Sequence, residues 1–347
     1  MLFNLDMTQW YNYLLAILMI AGGTVLLIKC SDIFVDSASF FARKLKIPSL
    51  VIGLTVVAFG TSLPELAVSA SDSISCLIGG GNANIAIGNV VGSNICNILL
   101  VLGCSVALTP IIVKKDVLKS EYPILIAVSA ILSLFIIAFS LNGSYAVLRW
   151  EGAILTALII AYVTYLVIKS KKQAKLAPAP EPEEAPKKDY PMWKAILFLI
   201  LGLAGIAFGG ELVVNGAKSI ALGIGDLAGW NHDLVESLVG LTIVAVGTSL
   251  PELVTSVVAA KKGENEIALG NVIGSNIFNA LFIIGICSLI CPLTIGSQIL
   301  IDIAVMMFAA ILAFVLSLKG KLNKKDGLIF IICYALYLVY LILRTVL

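Results

Sequence analysis

The sequence predicts an all-α polytopic membrane protein of ten transmembrane helices, arranged as two inverted five-helix repeats. The first observation is composition: of 347 residues, 60% are hydrophobic and only 13% are charged, whereas about a quarter of an average soluble domain is charged. The second is that apolar stretches of spanning length recur along the whole chain. The third is that two sequence blocks of the first half recur in the second half.

Ten apolar stretches are each long enough to cross the hydrocarbon core of a bilayer, which takes about 20 residues of helix. The first and sixth are longer than a perpendicular span needs, so we expect these two helices to be tilted or to protrude. The stretches lie near 11–42, 49–75, 83–108, 121–141, 148–168, 194–222, 235–260, 266–290, 297–318 and 326–345.

Lysine and arginine gather in the loops that follow the odd-numbered spans, which hold 19 of the 23 basic residues. Because cytoplasmic loops carry an excess of Lys and Arg, we expect these loops in the cytoplasm and both termini outside the cell (inner) membrane. The segment 169–193 is rich in Ala, Glu, Pro and Lys and predicts a flexible cytoplasmic linker, a tether rather than a regulatory element. It separates a first five-helix repeat, 1–168, from a second, 194–347.

The internal repeat is read from two pairs of blocks. GLTVVAFGTSLPELAVSA (53–70) and GLTIVAVGTSLPELVTSV (240–257) agree at 13 of 18 positions, and IAIGNVVGSNICNILLVLG (85–103) and IALGNVIGSNIFNALFIIG (267–285) at 12 of 19. Five spans per copy place the second copy upside down in the membrane, and loop charge agrees: loop 76–84 is uncharged, whereas its counterpart 261–266 carries two lysines. Secondary transporters place substrate sites at the interface of such repeats, near the midplane.

Two carboxylates lie inside predicted spans at equivalent positions, Glu65 and Glu252. An ionisable group near the bilayer centre costs roughly 2.5–3.5 kcal/mol on insertion scales, so a matched pair indicates a functional site. The alternative is a glutamate paired with a basic residue or held protonated, but neither of these two spans holds a Lys or Arg, and Lys29 is the only cation predicted away from the end of a span.

Prolines precede both glutamates. Pro64 and Pro251 remove an N–H and clash with the carbonyl four residues back, so each helix is expected to break there and free carbonyl oxygens. Side chains and carbonyls around each break are candidate ligands at helical spacing. These are Ala58, Thr61, Ser62 and Glu65 in the first copy and Ala245, Thr248, Ser249 and Glu252 in the second.

The second pair of blocks supplies the other walls. Ser93 and Asn97 are four residues apart and share a helix face, as do Ser275 and Asn279. The GxxxG glycines of each block predict close helix packing, which is also the alternative role for the whole motif. Two carboxylates and many neutral oxygens, without thiol or imidazole, suit a hard cation such as Ca²⁺ or several Na⁺. Without cations, the charges stand unpaired in a low dielectric, which favours exchange over leak.

GTSLPE followed by GNVVGSNICN, repeated as GTSLPE and GNVIGSNIFN, resembles the two alpha-repeats of the cation/calcium exchanger superfamily, and within it the prokaryotic sodium/calcium exchangers. The resemblance implies alternating access with Na⁺ entry driving Ca²⁺ extrusion, Na⁺ and Ca²⁺ as transported ions, and no cofactor. It also implies that the twelve residues at the motif positions are the ion ligands, with Glu65 and Glu252 central for Ca²⁺ and Thr61 and Thr248 among the metal ligands. Related potassium-dependent exchangers tend to carry Asp at the position of Asn279, which argues against potassium dependence.

Other functions stay open at this point. A proton-coupled exchanger of Ca²⁺ or other cations is the main alternative, since glutamates also carry protons, and a passive channel is a second. An intramembrane enzyme is not expected, because no span holds a metal-binding histidine or a Ser/Lys dyad. We further expect a monomer in membrane lipid without a nucleic-acid partner. The seven cysteines lack CxxC spacing and are expected to be small buried apolar residues.

Overall fold

The computed structural model describes residues 10–79, 83, 85–141, 144–176, 191–229, 235, 239 and 245–346. The first half has eight helices: α1 (Trp10–Lys44), α2 (Ser49–Ile52), α3 (Ala58–Thr61), α4 (Leu63–Gly79), α5 (Ile85–Cys96), α6 (Gly103–Leu108), α7 (Tyr122–Ala138) and α8 (Arg149–Leu176). The second half has α9 (Met192–Leu227), α10 (Ala245–Thr248), α11 (Leu250–Lys261), α12 (Asn265–Phe278), α13 (Ile284–Ile290), α14 (Ile299–Ser317) and α15 (Lys324–Val346). Short π-helical turns join several of them, at Gly53–Val57, Asn97–Leu102, Val117–Glu121 and Asn279–Ile283.

The described part of the chain contains eight helices long and apolar enough to cross a membrane. A ninth span is added if the bent pair Ser49–Thr61 and Leu63–Gly79 counts as one. The protein is therefore a mostly helical membrane protein. Of the ten predicted spans, the seventh (235–260) lies partly outside the described residues. Helix α8 runs to Leu176, past the predicted end of its span at 168, and most of the predicted linker also lies outside the described residues.

Segments of the basic, odd-numbered loops meet at one end of the molecule. Lys262 forms ion pairs with Asp32 (2.7 Å) and Asp36 (2.5 Å) of α1. Lys114 pairs with Glu266, the residue whose carboxylate also accepts the backbone N–H of Leu50 at 3.2 Å. Strands β1 (Ile111–Ile112) and β5 (Lys321–Leu322) pair antiparallel. The described segments of the first, third, seventh and ninth loops thus lie at the same end of the helices.

Segments of the second, fourth and eighth loops, which carry no charged residue, meet elsewhere. Strands β2 (Phe139–Leu141), β3 (Ser144–Val147) and β4 (Leu293–Ile295) form a three-stranded sheet, and the N–H of Thr294 donates to the carbonyl of Ala83 at 2.8 Å. Beside this sheet, Cys76 and Cys291 form a disulfide. The prediction that every cysteine is a small apolar residue is therefore wrong for these two. They are 215 residues apart in the sequence, so no local spacing indicates that the fold brings them into contact.

The two halves make matched backbone contacts. In the repeated block that contains GNV, each residue of the second half has a number 182 higher than its counterpart in the first half. By this count, Leu293 is the counterpart of Ile111. Ile111 lies opposite Leu322 in one sheet, and Leu293 lies opposite Val147 in the other. In one sheet, β1 of the first half pairs with β5 of the second half. In the other sheet, β4 of the second half, the counterpart of β1, pairs with β3 of the first half.

Helix packing repeats in the same way. A Cβ placed on Gly103 would lie 3.2 Å from the carbonyl oxygen of Gly327, and one placed on Gly285 would lie 3.3 Å from that of Gly152. Gly285 is the counterpart of Gly103 in the repeated block. Glycine at these positions lets α6 approach α15, and α13 approach α8, more closely than a side chain would allow.

A buried ion pair joins α8 to the start of the helix before it. Glu121 is fully buried, and one of its carboxylate oxygens lies 2.8 Å from the Lys169 ammonium. The Tyr162 hydroxyl donates to the other oxygen at 3.1 Å. This cluster satisfies the carboxylate and attaches α8 to the residue that precedes α7.

The second half builds the same cluster with other residues. The Arg344 guanidinium pairs with Asp302 at 3.0 Å, and the Tyr337 hydroxyl donates to Asp302 at 3.0 Å. The tyrosine precedes the cation by seven residues here, as Tyr162 precedes Lys169 in the first half. Helix α15 is therefore attached to α14 through the same acid, tyrosine and cation arrangement.

We predict that Glu121→Gln lowers thermal stability. The amide keeps the shape but leaves the Lys169 ammonium without its counter-charge, which for a largely buried pair costs about 2 kcal/mol. The measurement is the melting temperature of the purified protein in detergent. Asp116→Asn, which changes an exposed acid close by, is the control. Equal melting temperatures for the two variants would contradict the structural role of the cluster.

Candidate ion-binding site

Both GTSLPE helices contain the predicted break, which lies two residues before the proline rather than at it. Helix α3 ends at Thr61, α4 begins at Leu63, and the bend between them is 48°. In the second half α10 ends at Thr248 and α11 begins at Leu250. Each proline thus falls in the first turn of the following helix, where its missing N–H has no intrahelical partner to lose. The polar residues of the break lie between two helix ends.

The two carboxylates are completely buried. Among the residues that the structure describes, neither oxygen of Glu65 has a hydrogen-bond partner, and the same holds for Oε2 of Glu252. Oε1 of Glu252 accepts a hydrogen bond from the Ser62 hydroxyl at 3.2 Å. Within the described ranges, no basic side chain forms an ion pair with either carboxylate.

Each carboxylate is flanked by hydroxyls from both halves. Ser93 of α5 and Ser249 of the second break lie beside Glu65. Both serine hydroxyls are buried and have no hydrogen-bond partner. Ser275 lies beside Glu252, with its hydroxyl 3.5 Å from the Ala58 carbonyl and 3.5 Å from the Thr61 hydroxyl.

Asn97 and Asn279 each open a π-helical turn in the repeated block. Both side-chain polar atoms of Asn97 are buried without a partner, as is Oδ1 of Asn279. The Asn279 amide nitrogen donates to Oδ1 of Asn94 at 3.2 Å. A π turn widens the helix by one residue and is frequent at functional sites.

Three predicted ligands stand apart from this pattern. The Ala58 carbonyl, expected to be freed by the break, accepts the Ser62 N–H at 3.1 Å. Thr248 is half-buried in the last turn of α10. Ala245 begins α10, and its side chain lies outside the described residues.

Sequence reasoning missed Asn271 and Asn89. The Thr61 hydroxyl donates to Oδ1 of Asn271 at 3.0 Å, and the Asn271 amide donates to Ser256 at 2.9 Å and to the Glu252 carbonyl at 3.4 Å. Asn89 makes the equivalent bonds in the first half, to the Glu65 carbonyl at 3.2 Å and to the Ser69 hydroxyl at 3.0 Å. A signal was present, because each follows the first glycine of a repeated GNV sequence.

These side chains form a buried cluster rich in oxygen atoms. Seven buried side-chain oxygens around the two breaks lack hydrogen-bond partners: two from Glu65 and one each from Glu252, Ser93, Asn97, Ser249 and Asn279. A buried polar atom without a partner costs about 1–3 kcal/mol, and the penalty is larger for a charged group. Ca²⁺ takes six to eight oxygen ligands, carboxylates among them, so the donor set fits it.

The fold and this oxygen-lined site are those of an ion-transporting membrane protein. The family of sodium/calcium exchanger proteins matches over residues 15–169 and 194–343, and the chain belongs to this family.

Several full-length relatives agree. The putative antiporter CaxA of Alkalimonas amylolytica is 39% identical, over 93% of this chain and 98% of that protein. The sodium/calcium exchanger MaX1 of Methanosarcina acetivorans is 35% identical, over 95% and 98%. A solved structure of the sodium-calcium exchanger NCX_Mj, soaked with Na⁺ and Ca²⁺, matches 94% of this chain and 98% of that chain at 32% identity, with a TM-score of 0.75.

We predict that Asn271→Ala weakens cation binding. The change removes the acceptor of the Thr61 hydroxyl and a donor to the Glu252 carbonyl, both at the break. Because a buried hydrogen bond contributes about 1 kcal/mol, we expect a roughly fivefold rise in the Ca²⁺ concentration for half-maximal uptake into proteoliposomes. Thr164→Val in α8, whose hydroxyl bonds the Ile160 carbonyl of its own helix, is the control. A wild-type concentration dependence in Asn271→Ala would remove this residue from the site.

Proposed function

We propose that the protein is a secondary active antiporter that exchanges Na⁺ for Ca²⁺ across the membrane by alternating access. The observation that carries this proposal is the pair of fully buried carboxylates, Glu65 and Glu252, with unpartnered oxygens around them and no basic partner among the described residues. The same assignment is supported by relatives named as sodium/calcium exchangers, to which this chain is similar over nearly their whole length.

The proposed ligands are the oxygens around the two breaks. Glu65 and Glu252 bind Ca²⁺ centrally and neutralise its charge, and the same carboxylates serve Na⁺ when it replaces Ca²⁺. The other proposed ion ligands are the Ala58 and Ala245 carbonyls, the Thr61, Thr248, Ser62, Ser249, Ser93 and Ser275 hydroxyls, and the Asn97 and Asn279 amides.

Coupling follows from electrostatics. With no cation bound, Glu65 and Glu252 would carry two like charges in a buried, poorly solvated place, which is unfavourable. The free-energy cost of switching the site from one side of the membrane to the other is therefore low only when Ca²⁺ or Na⁺ neutralises the carboxylates. This penalty prevents the empty carrier from switching sides, so the transport of one ion in one direction requires the transport of the other ion in return. A passive channel has no such restriction.

The architecture we propose is ten spans in two inverted five-helix repeats, 1–168 and 194–347, with a cytoplasmic linker at 169–193. The matched strand pairs, glycine contacts and acid–tyrosine–cation clusters support the repeat. The basic loops that meet on one side support both termini outside a cell (inner) membrane. The unit is proposed to be a monomer in lipid.

One flux experiment tests the function. Purified protein is reconstituted into liposomes loaded with Na⁺, and uptake of ⁴⁵Ca²⁺ is followed after dilution into Na⁺-free medium. We expect rapid uptake that stops when the Na⁺ gradient is collapsed and that does not respond to an imposed pH gradient. Uptake that follows the pH gradient and ignores Na⁺ would establish proton coupling instead, and uptake without any gradient requirement would indicate a channel.

We predict that Glu65→Gln and Glu252→Gln each abolish Na⁺-dependent Ca²⁺ uptake. Each change keeps the side-chain volume and removes one of the two charges that balance Ca²⁺. Glu151→Gln is the matched control, because Glu151 is also fully buried but caps the start of α8 through the Leu148 N–H at 2.8 Å. Wild-type uptake in either site variant, with the control also active, would exclude that glutamate from the site.

The topology has its own test. Trypsin added to one face of sealed membrane vesicles should cut in the lysine-rich linker 169–193 only when the cytoplasmic face is exposed. The expected products are two fragments, each close to half the chain, from inside-out vesicles and none from right-side-out vesicles. The reverse pattern would contradict the proposed orientation.

A further inference from the structure

We propose that Cys76–Cys291 is a disulfide on the outer face of the membrane, and that it stays closed while ions are transported. The bond joins the two halves of the chain, at the end of α4 remote from Glu65. It has three supports: the position of its two cysteines, its absence at the matched position, and the charge of the surrounding loops.

Position is the first support. Cys76 lies in the last turns of α4, the helix whose first turn carries Glu65. Cys291 directly follows α13, which continues the helix of Ser275 and Asn279. Their Cα atoms are 6.4 Å apart, within the range of native disulfides. The bond therefore holds the far end of the Glu65 helix against the segment that follows the opposite wall of the site.

The matched position is the second support. Counting along the repeated blocks, the counterpart of Cys76 is Gly263 and that of Cys291 is Thr109. The repeat preserves strands, glycines and ion pairs, but it does not preserve the cystine. In an inverted arrangement the two positions face opposite compartments. Disulfides persist outside the cytosol and are rare within it, so a cystine at one position alone is expected if that position faces outward.

Loop charge is the third support. Cys76 and Cys291 adjoin loops without Lys or Arg, at 76–84 and 291–297, whereas Gly263 follows Lys261 and Lys262. The excess of basic residues marks the cytoplasmic side. Redox chemistry and charge distribution are independent properties, and they assign the same outer face.

The bond also limits how the outer side can open. Near Cys291, β4 pairs with β3, and the Thr294 N–H donates to the Ala83 carbonyl. Covalent and hydrogen bonds thus hold α4 to the segment after α13 at this end. A pathway between the outer solution and the carboxylates must then open along other helices, with this junction intact.

Formation of the bond needs an oxidant. The two thiols together lose two protons and two electrons, which pass to the disulfide of an oxidising thiol–disulfide exchange protein. That protein leaves as a dithiol, and one S–S bond forms between Cys76 and Cys291. Reduction by a phosphine and water reverses the change and gives two thiols and a phosphine oxide.

Sidedness is tested on the wild-type protein in sealed vesicles. A membrane-impermeant phosphine is applied to one face, thiols are then trapped with an impermeant maleimide, and labelled peptides are identified by mass spectrometry. We expect Cys76 and Cys291 to be labelled only after reductant acts on the outer face. Labelling without reductant, or only after reductant acts on the cytoplasmic face, would overturn the proposal. This readout does not require transport, so its failure is distinct from failure of the proposed exchange.

The transport arm asks whether the bond opens. Uptake of ⁴⁵Ca²⁺ is driven by Na⁺ with the trapping maleimide present and no reductant. We expect uptake to proceed with no label on either cysteine. Label that accumulates with turnover, or uptake that begins only after reduction, would show that the bond opens or blocks the cycle.

The variant Cys76→Ser/Cys291→Ser separates stability from transport. We expect it to keep Na⁺-driven uptake and to melt at a lower temperature than the wild type, because the cross-link between distant residues is lost. Cys30→Ser/Cys333→Ser, which changes two half-buried free cysteines, should not melt lower. If the first variant does not fold, reductant on the wild-type protein gives the same comparison. An unchanged melting temperature in both Cys76→Ser/Cys291→Ser and the reduced wild-type protein would refute the stabilising role of the disulfide.

Discussion

The structure depends on two carboxylates kept inside an apolar molecule. Glu65 and Glu252 are fully buried, and no basic side chain in the described ranges pairs with them. A low-dielectric interior does not tolerate two such charges unless a cation or protons neutralise them. The helix breaks, the serines and asparagines around them and the close glycine packing all serve this constraint. They supply oxygens where an uninterrupted apolar helix would supply none.

Most of the architecture follows from patterns along the chain. Spanning length predicted the long helices, and the two GTSLPE blocks predicted paired breaks that the structure contains. The position of the break differed by two residues. Proline 64 was expected to interrupt a helix, but it begins the next one, where a missing N–H is harmless. The rule that proline interrupts a helix thus identified the break. The break itself lies at Ser62, because proline is tolerated in the first turn of the helix that follows.

Contacts across the halves could not be predicted in this way. The hydrogen bond from Thr61 to Asn271 joins residues 210 apart, and the Cys76–Cys291 bond joins residues 215 apart. Neither has a periodicity or spacing that marks it. The repeated asparagine of the GNV sequence was visible, but a polar residue in a helix can serve packing as readily as binding. Only the fold shows that Asn271 reaches the break of the other half.

The way the halves interlock bears on transport. Ser62 of the first break bonds Glu252 of the second half, and Ser249 of the second break lies beside Glu65 of the first. Each carboxylate is therefore surrounded in part by oxygens of the opposite half. A small displacement of one half against the other alters the oxygens around both carboxylates together. Neither half alone therefore contains all the oxygens that surround the two carboxylates.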